Sequence, residues 1–321
     1  MKAFVYRQFG PEDLERVEMP VPEPGRGEVL IRVYCAGVNP VDWKAKDGLF
    51  DGMIPYHFPA IPGWDAAGVV VQVGQGVKDF KSGDEVFVYG RLPTVGVNGT
   101  YAEFTSLPAE MVAPKPKSLT WGAAAGVPLV ALTAWQALVG LGKVKAGQTV
   151  IVPAAAGGVG SFIIQFARHF GARVIATCSD ANRAYVKGLG ADKVIDYRDG
   201  LDQLPKGEGD FLLGTLSPDR LKDYLPALKS GATIVTLAGD TGLAEAGPEN
   251  LAVTPLYVES NGRQLAEVAR LIEVGAIMAL PVKVMPFKDA NKALAVSRAG
   301  HGYGKQVLEV VDGMAGSRKP Q

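Results

Sequence analysis

The stretch from residue 150 to residue 180, "VIVPAAAGGVGSFIIQFARHFGARVIATCSD", constrains the fold more than any other part of the chain. An apolar strand leads into a tight turn of alanines and glycines, a helical pattern follows, and a second apolar strand ends at Thr177 and Cys178. Two strands joined through a helix pair in parallel, and parallel sheets need helices on their faces. The stretch therefore predicts a βαβ unit within a helix-covered sheet.

The same alternation continues through the second half of the chain, from about residue 123. Helical stretches separate a series of short apolar runs. We predict strands near residues 148–152, 173–177, 193–196, 210–214, 233–237 and 254–258. Strands that alternate with helices in this way are typical of an α/β fold with a doubly wound parallel sheet, the Rossmann arrangement.

The first 120 or so residues follow a different pattern, with short Val, Ile and Tyr runs broken by Gly, Pro and Asp. Close-set strands of this kind predict a β-rich unit. Two late runs, "ALPVKVMPF" and "KQVLEVV", look like strands that return to this unit. We therefore predict a discontinuous β-rich domain, residues 1–122 with 278–321, and an α/β domain with the parallel sheet, residues 123–277.

The charge, the apolar runs and the cysteines of the sequence limit which partners and which cellular location we expect. The 321 residues carry 33 basic and 33 acidic side chains, which disfavours a nucleic-acid partner because such partners need a basic face. No run reaches the roughly 18 apolar residues that span a bilayer, so no membrane segment is expected. Cys35 and Cys178 lie far apart in apolar runs, as buried thiols in a reducing compartment do. The opening "KAFVYR" is not a signal core, and we expect a cytoplasmic protein.

The glycine-rich turn indicates a phosphate ligand. Glycines between a strand and a helix let the backbone approach a pyrophosphate, which the free N–H groups of the helix start can bind. Alanines alone would suit a turn without a ligand, so the glycines favour the cofactor. The residues expected to line this site are Ala155, Gly157, Gly158, Val159 and Gly160, with Ala155 where the usual pattern has its first glycine.

The end of the second strand bears on the choice between NAD and NADP. An NAD site commonly has Asp or Glu there, for the ribose 2′-hydroxyl, but this chain has Thr177 and Cys178. Ser179 and Arg183 follow and could bind a 2′-phosphate, which Tyr197 could cover. Asp180 could still reach a ribose and favour NAD; we prefer an Asp180 that caps the next helix. The cofactor predicted is NADP(H).

At these residues the chain resembles the zinc-independent quinone oxidoreductases of the medium-chain dehydrogenase/reductase superfamily. The resemblance rests on "AAAGGVG" at 154–160, "GVNPVDW" at 37–43, "PGWDAAGVVVQVG" at 62–74, "VKDFKSGDEV" at 77–86 and "GKQVLEV" at 304–310. It implies a GroES-like catalytic domain, into which the Rossmann domain is inserted. It also implies a homodimer joined through the edge strand at 254–258.

The zinc-dependent members of that superfamily hold a catalytic zinc ion with Cys, His and Cys. The resemblance puts Asn39, Trp64 and Leu129 at those positions, and none of them is a zinc-ligand type. No metal is expected. A site without a Lewis acid suits acceptors that take hydride readily, such as quinones and conjugated enones or enals, whose charge can move onto an oxygen.

The resemblance also selects candidate site residues. Asn39 and Asp42 are the strongest, the first for the nicotinamide ribose or the substrate oxygen, the second for that role or for bracing its loop. Lys44 could face a developing oxyanion or only solvent. Tyr56, Phe58 and Trp64 could shape an apolar substrate slot or equally form the core of their loop. The remaining candidates are Thr133 for the nicotinamide and the backbone of Leu237, Ala238 and Gly239 for its carboxamide.

The leading interpretation is an NADPH-dependent enzyme that transfers hydride to quinones or α,β-unsaturated carbonyls. One alternative is a tailoring enoyl reductase for a larger conjugated carbonyl. Phe50 stands where the enoyl-thioester reductases carry a catalytic tyrosine, and a phenyl ring donates no proton. Another alternative is a non-catalytic NADPH-binding sensor or adaptor. Asn39 and Thr133 together favour an enzyme.

Overall fold

A computed structural model describes residues 1–237, 242–300 and 302–320. The strands of this part of the chain are β1 (Lys2–Val5), β2 (Glu15–Glu18), β3 (Glu28–Val38), β4 (Asp65–Val73), β5 (Glu85–Tyr89), β6 (Phe104–Pro108), β7 (Val112–Pro114), β8 (Thr149–Val152), β9 (Arg173–Cys178), β10 (Lys193–Asp196), β11 (Gly209–Gly214), β12 (Leu228–Thr236), β13 (Ala252–Pro255), β14 (Val282–Pro286) and β15 (Lys305–Glu309). Its α-helices are α1 (Pro40–Lys46), α2 (Trp121–Ala125), α3 (Pro128–Trp135), α4 (Gly158–His169), α5 (Arg183–Gly188), α6 (Pro218–Lys222), α7 (Leu243–Ala246), α8 (Gly262–Glu273) and α9 (Ala290–Ala299).

The chain forms two compact units. Unit 1 comprises Met1–Leu129, Glu259–His301 and Lys305–Gln321, and unit 2 comprises Val130–Val258 and Gly302–Gly304. These ends differ from those of the predicted domains, which stay a prediction. The largest difference is the segment 259–277, which we assigned to the dinucleotide-binding domain and which packs in unit 1. There α8 lies against β7, and Glu273 accepts hydrogen bonds from the N–H and the hydroxyl of Ser118.

Unit 1 is built around a sheet in the order β14-β15-β3-β4-β5-β7, to which β6 adds by pairing with β3. Strand β3 is the centre, because its eleven residues are long enough to pair with β15, β4 and β6. All of these pairs are antiparallel, whereas β14 and β15 run parallel. The predicted return of the last strands to the β-rich part of the chain is therefore seen in β15, which pairs with β3.

Unit 2 contains a fully parallel sheet in the order β10-β9-β8-β11-β12-β13. The predicted doubly wound α/β arrangement is confirmed. The four residues of β8 are all buried, as expected for a strand that has helices on both sides. The order reverses at β8, between β9 and β11, and ligands of such sheets bind beyond the carboxyl ends of the strands at this point.

The edge strand of that sheet, β13, spans Ala252–Pro255 and not the predicted 254–258. Its register is set by β12, since Thr233 to Thr236 pair with Ala252 to Pro255. Proline has no N–H to donate and therefore belongs at the end or edge of a ladder. The apolar run continues past the strand.

The longest apolar stretch of the sequence, residues 121–141, folds as three short pieces. They are α2 in unit 1, α3, and a wide helical turn over Gln136–Leu141. In the described part of the chain, no helix combines the length and the apolar character that a bilayer crossing requires.

Candidate functional site

The predicted phosphate-binding turn lies in unit 2, between β8 and α4. Its geometry requires glycine at Gly160, because a Cβ atom there would stand 2.9 Å from the carbonyl oxygen of Ala154 and 2.9 Å from the Cα of Ala155. Ala154 itself has a φ of 48°, a conformation that side chains rarely adopt. The N–H of Ala155 donates to the carbonyl oxygen of Thr177 at 3.0 Å, which ties the turn to the end of β9.

The start of α4 is suited to an anion. Gly157 is the N-cap residue and supplies no side chain to the helix, and the first turn contains no acidic residue. The first N–H groups of a helix have no partner within it, and the helix dipole adds positive potential there. Gly157 is exposed, and Gly158 and Val159 are partly exposed. This part of the structure fits a dinucleotide pyrophosphate, with the five turn residues predicted for it.

The residues predicted to bind the 2′-phosphate cluster at the ends of β9 and β10. The Arg183 guanidinium donates from Nε to Oδ1 of Asp180 at 2.7 Å and from Nη1 to the carbonyl oxygen of Val194 at 2.7 Å. The hydroxyl of Ser179 accepts from the amide of Asn182 at 3.2 Å. Tyr197 is exposed, and the Arg220 guanidinium lies 5.8 Å from its ring centroid.

The expected capping role of Asp180 is wrong. Helix α5 begins at Arg183, and its N-cap residue is Asn182. Asp180 lies in the preceding 3₁₀ turn, whose N-cap residue is Ser179. Neither N-cap residue makes a capping hydrogen bond with its side chain. A side-chain carboxylate can accept from a guanidinium or from helix N–H groups, and here it accepts from Arg183. Ser and Asp patterns before a helix do not distinguish these two outcomes.

Asp196 and Arg198 form a clamp at the end of β10 that the sequence analysis missed. The Arg198 side chain donates to both carboxylate oxygens of Asp196, at 2.6 to 3.2 Å, and the Arg198 N–H donates at 3.0 Å. These bonds hold the pKa of the Asp196 carboxyl well below its ordinary value. Asp196 also accepts from the N–H of Asp180 at 2.8 Å, so it fixes the backbone at the end of β9.

The residues predicted for the nicotinamide are described only in part. Thr133 is buried in α3. Leu237 is exposed, and its N–H donates to the carbonyl oxygen of Gly214 at 3.0 Å, so that group does not remain for a carboxamide. Ala238 and Gly239 lie outside the described residues.

In unit 1, Asn39 is fully buried at the centre of a polar network. Its amide nitrogen donates to Asp65 at 2.9 Å, and its amide oxygen accepts from the Lys305 ammonium at 2.5 Å. The Asn39 backbone N–H donates to Asp42 at 2.8 Å. Both ends of the Asn39 side chain thus have protein partners, and its predicted contact with cofactor or substrate stays a prediction.

The charges of this network are buried, which sets their pKa values. Burial raises the pKa of Asp65 to about 6, although Lys305, Asn39 and the Leu129 N–H stabilise its charged form. Burial also raises the pKa of Asp42, despite its bonds from Asn39 and Tyr101. Burial lowers the pKa of the Lys305 ammonium, against the attraction of the two carboxylates. Three ionisable groups therefore share one desolvated site.

Asp65 and Lys305 are the residues of this network that the sequence analysis overlooked. Both stand inside quoted motifs, Asp65 in "PGWDAAG" and Lys305 in "GKQVLEV". A charged residue within a buried strand is the signal that could have identified them, because such a residue needs a partner. Lys305 stands 266 positions away from Asn39, so the sequence does not reveal which partner it has.

Asp42 has the bracing role that was considered for it. It is buried, and its Oδ2 accepts from the hydroxyl of Tyr101 at 3.1 Å as well as from Asn39. Its Oδ1 is buried without a hydrogen-bond partner. Lys44, by contrast, is exposed, with its ammonium 5.6 Å from the centroid of the Trp43 ring.

The aromatic candidates pack in the loop that precedes β4. The Tyr56 hydroxyl donates to the carbonyl oxygen of Ala45 at 3.1 Å, and burial raises its pKa to about 12. Trp64 is buried, with its ring 5.9 Å from that of Phe50 and 6.1 Å from that of Tyr89. The Tyr56 ring stacks on that of Phe58 with centroids 5.9 Å apart, whereas Trp64 contacts Phe50 and Tyr89, and the predicted substrate slot stays a prediction.

The positions compared with zinc ligands have other roles here. Asn39 belongs to the buried network, and the Leu129 N–H donates to Oδ1 of Asp65 at 2.9 Å. Across residues 1–237, 242–300 and 302–320, no group of three or more His, Cys, Asp and Glu side chains is arranged to hold a metal ion.

Two family models match the chain. Residues 25–117 match the alcohol dehydrogenase GroES-like domain, and residues 189–308 match the zinc-binding dehydrogenase family. Together the two matches cover most of unit 1 and four of the six strands of the parallel sheet, β10 to β13. The GroES-like identity of the β-rich part, implied by the resemblance, is confirmed.

Known proteins resemble the whole chain. An NADPH-dependent alkenal/one oxidoreductase from chloroplasts of Arabidopsis thaliana is 36% identical, over 96% of this chain and 79% of the relative. A chloroplastic quinone oxidoreductase of Triphysaria versicolor is 33% identical, over 96% of this chain and 98% of the relative. The crystal structure of Escherichia coli quinone oxidoreductase complexed with NADPH superposes with a TM-score of 0.83 at 26% identity, over 97% and 100% of the two chains. The chain belongs to the medium-chain dehydrogenase/reductase superfamily, among its quinone oxidoreductases and alkenal reductases.

Proposed function

We propose that this protein is an NADPH-dependent oxidoreductase that transfers hydride to quinones or α,β-unsaturated carbonyls without a metal ion. The observation that carries the proposal is the glycine turn before α4, whose close backbone packing at Gly160 and uncapped helix start fit a dinucleotide pyrophosphate. A relative named as NADPH-dependent and a neighbouring structure with NADPH bound support the choice of cofactor.

The nature of the acceptor follows from chemistry and from the relatives. When bound, NADPH supplies a hydride. Asn39, Trp64 and Leu129 stand where the zinc-dependent members have their zinc ligands, and none of the three is a zinc-ligand type. Such a site favours acceptors that need little polarisation. Quinones and conjugated carbonyls meet this condition, and the relatives are named for these substrates. Phe50, which is partly exposed beside the buried Trp64, offers an aromatic ring of the kind that such planar molecules contact.

Two tyrosine hydroxyls of unit 1 are engaged in hydrogen bonds within the protein. The hydroxyls of Tyr56 and Tyr101 donate to Ala45 and Asp42, so neither is a proton donor to a ligand as the site stands. Burial raises the pKa of both tyrosines. We therefore assign the proton that completes the reduction to water.

The test is the loss of reduced-nicotinamide absorbance with four acceptors in parallel: 1,4-benzoquinone, phenanthrenequinone, 2-hexenal and crotonyl-CoA. The proposal expects turnover with a quinone or with 2-hexenal, and faster turnover with NADPH than with NADH at equal concentration. Turnover with crotonyl-CoA alone would favour an enoyl reductase. Tight NADPH binding without turnover of any acceptor would favour the sensor and would contradict the proposal.

We also propose a homodimer joined through β13. This strand is an edge of the parallel sheet, and an edge strand presents unpaired N–H and C=O groups to a neighbouring chain. Sedimentation equilibrium should give the mass of a dimer, and a proline in place of Val253 should shift it toward the monomer.

We propose a cytoplasmic location because both cysteines are free thiols. Cys35 and Cys178 are both buried and unpaired, as in proteins of reducing compartments. Imaging of the tagged full-length chain in its own cells would test this, and a signal confined to an organelle would contradict it.

A further inference from the structure

We infer that Asp180 sets the cofactor preference of this protein. Its carboxylate accepts a hydrogen bond from Arg183, the residue that would bind the 2′-phosphate of NADPH. The inference rests on the proposed function. Asp180 competes with the phosphate for Arg183, and it offers an acceptor to the free 2′-hydroxyl of NADH. The site is therefore built to take both dinucleotides, with a preference for NADPH that Asp180 limits.

The first observation is the state of the Arg183 guanidinium. Its Nε donates to Asp180 at 2.7 Å, and its Nη1 donates to the carbonyl oxygen of Val194 at 2.7 Å. The bond to Val194 anchors the guanidinium beside β10. The bond to Asp180 takes up the donor edge that a phosphate would use, since arginine binds phosphate best with two parallel N–H groups.

The second observation is that the backbone of Asp180 is fixed by a separate set of bonds. Its N–H donates to Asp196 at 2.8 Å, and Asp196 is clamped by the side chain and the N–H of Arg198. The Asp180 backbone is therefore fixed at a place from which its side chain reaches Arg183. Arg198 uses its Nε and Nη2 donors in this clamp.

The pair is exposed enough for a ligand to exchange with it. The Asp180 side chain is 69% exposed and that of Arg183 is 43% exposed. Exposed ion pairs contribute little free energy, so a phosphate monoester, with nearly two negative charges at neutral pH, can displace the carboxylate. The displaced Asp180 then remains close to the phosphate, and the repulsion lowers the affinity.

Among the described residues, the charged side chain that is hydrogen-bonded to Arg183 is that of Asp180. Arg220 lies over the ring of Tyr197, on the side of β10. Asp196 is neutralised by Arg198. Asp199 is exposed nearby in sequence, and the hydrogen-bond partners of the Arg183 side chain are Asp180 and Val194. Asp180 is thus the acidic group in direct contact with Arg183, the residue proposed to bind the 2′-phosphate.

The test measures binding of two probes that differ in one phosphate, adenosine 2′,5′-bisphosphate and AMP, by calorimetry on the full chain. In Asp180→Asn, affinity for the bisphosphate should rise about two- to fivefold, the range that an exposed ion pair represents. Affinity for AMP should stay level or fall. In Arg183→Met, affinity for the bisphosphate should fall by roughly tenfold or more, and that for AMP much less.

Asp199→Asn is the matched control, because it removes the same charge from an exposed position nearby. It should leave the ratio of the two affinities unchanged, and melting curves should show that all three variants fold. An unchanged ratio in Asp180→Asn, or an equal change in Asp199→Asn, would overturn the inference.

The same titrations with NADP⁺ and NAD⁺ separate this inference from the proposed function. If the wild-type protein binds neither dinucleotide, the proposed function fails and the inference fails with it. If the wild type binds NADP⁺ but Asp180→Asn shows no gain over NAD⁺, only the inference fails. A gain for NADP⁺ and a loss for NAD⁺ in Asp180→Asn support both.

Discussion

The ammonium of Lys305 donates to the side-chain oxygen of Asn39 at 2.5 Å and to the carbonyl oxygen of Val38 at 2.7 Å. This contact joins β15, near the end of the chain, to the start of α1. It also fixes the orientation of the Asn39 amide, because the ammonium can only donate and Asp65 accepts from the other end. The position of Asn39 therefore depends on a buried charge in another part of the sequence.

Lys305→Met should destabilise the protein by about 3–5 kcal/mol, because removal of one partner leaves buried carboxylates without their counter-charge. Urea unfolding would measure this change in the free energy of unfolding. Lys283→Met is the control: Lys283 is exposed on the adjacent strand β14, and its replacement should change stability by no more than about 0.5 kcal/mol. Equal effects of the two substitutions would show that the buried ammonium is dispensable.

The pH dependence of stability should carry the signature of Asp65. Its folded pKa is raised to about 6, above an unfolded value of about 3.9, so the folded protein binds more protons between these values. The contribution of Asp65 to stability is thus present below about pH 4 and is lost as the pH rises through about 6. The stability of wild type minus that of Asp65→Asn should fall by on the order of 2–3 kcal/mol over this window. A stability difference that does not change with pH would contradict a pKa of Asp65 that burial raises in the folded protein.

Gly160→Val should weaken NADPH binding by roughly tenfold or more, because the new side chain must displace the backbone of Ala154 and Ala155 from the phosphate-binding turn. Fluorescence titration with NADPH measures the loss. Gly188→Ala, at the end of α5, is the control: a Cβ there meets nothing within 4 Å. That control should bind NADPH as the wild type does. Wild-type affinity in Gly160→Val would place the cofactor elsewhere.

Tyr56→Phe should keep quinone reduction within about threefold of wild type, because the hydroxyl is bonded to Ala45 and is not a proton donor. The cost should appear in stability, at about 1 kcal/mol for the lost hydrogen bond. Steady-state kinetics and thermal melts together measure both. A loss of kcat of about a hundredfold, the size expected for a missing general acid, would return Tyr56 to a catalytic role.

The order of elements in unit 2 was predictable because buried parallel strands are continuous apolar runs. Strand β9 was predicted at 173–177 and spans Arg173–Cys178. The core to which a helix belongs was not predictable: α8 is amphipathic, and its apolar face fits either unit equally well in sequence terms. Tertiary packing places α8 against β7. The close approach of the two elements requires glycine at Gly262, because a Cβ atom there would stand 2.4 Å from the carbonyl oxygen of Val112.

The phosphate-binding turn was predictable for a related reason, since its strand, glycines and helix are contiguous in the sequence. The buried network was not, because Asn39, Asp65 and Lys305 come from three distant segments. Asp180 shows the limit even for neighbours: its carboxylate could cap a helix or pair with Arg183, and these options differ by little free energy at an exposed position.

The central claim is direct hydride transfer from NADPH to an electron-poor acceptor, and isotope transfer tests it most directly. NADPH carrying deuterium at both C4 positions is incubated with the protein and 2-hexenal, and the product is analysed by mass spectrometry. The account predicts hexanal with a single deuterium on the β-carbon and a solvent proton on the α-carbon. Consumption of the labelled cofactor without deuterium in the product, or no consumption with either 2-hexenal or a quinone, would contradict it.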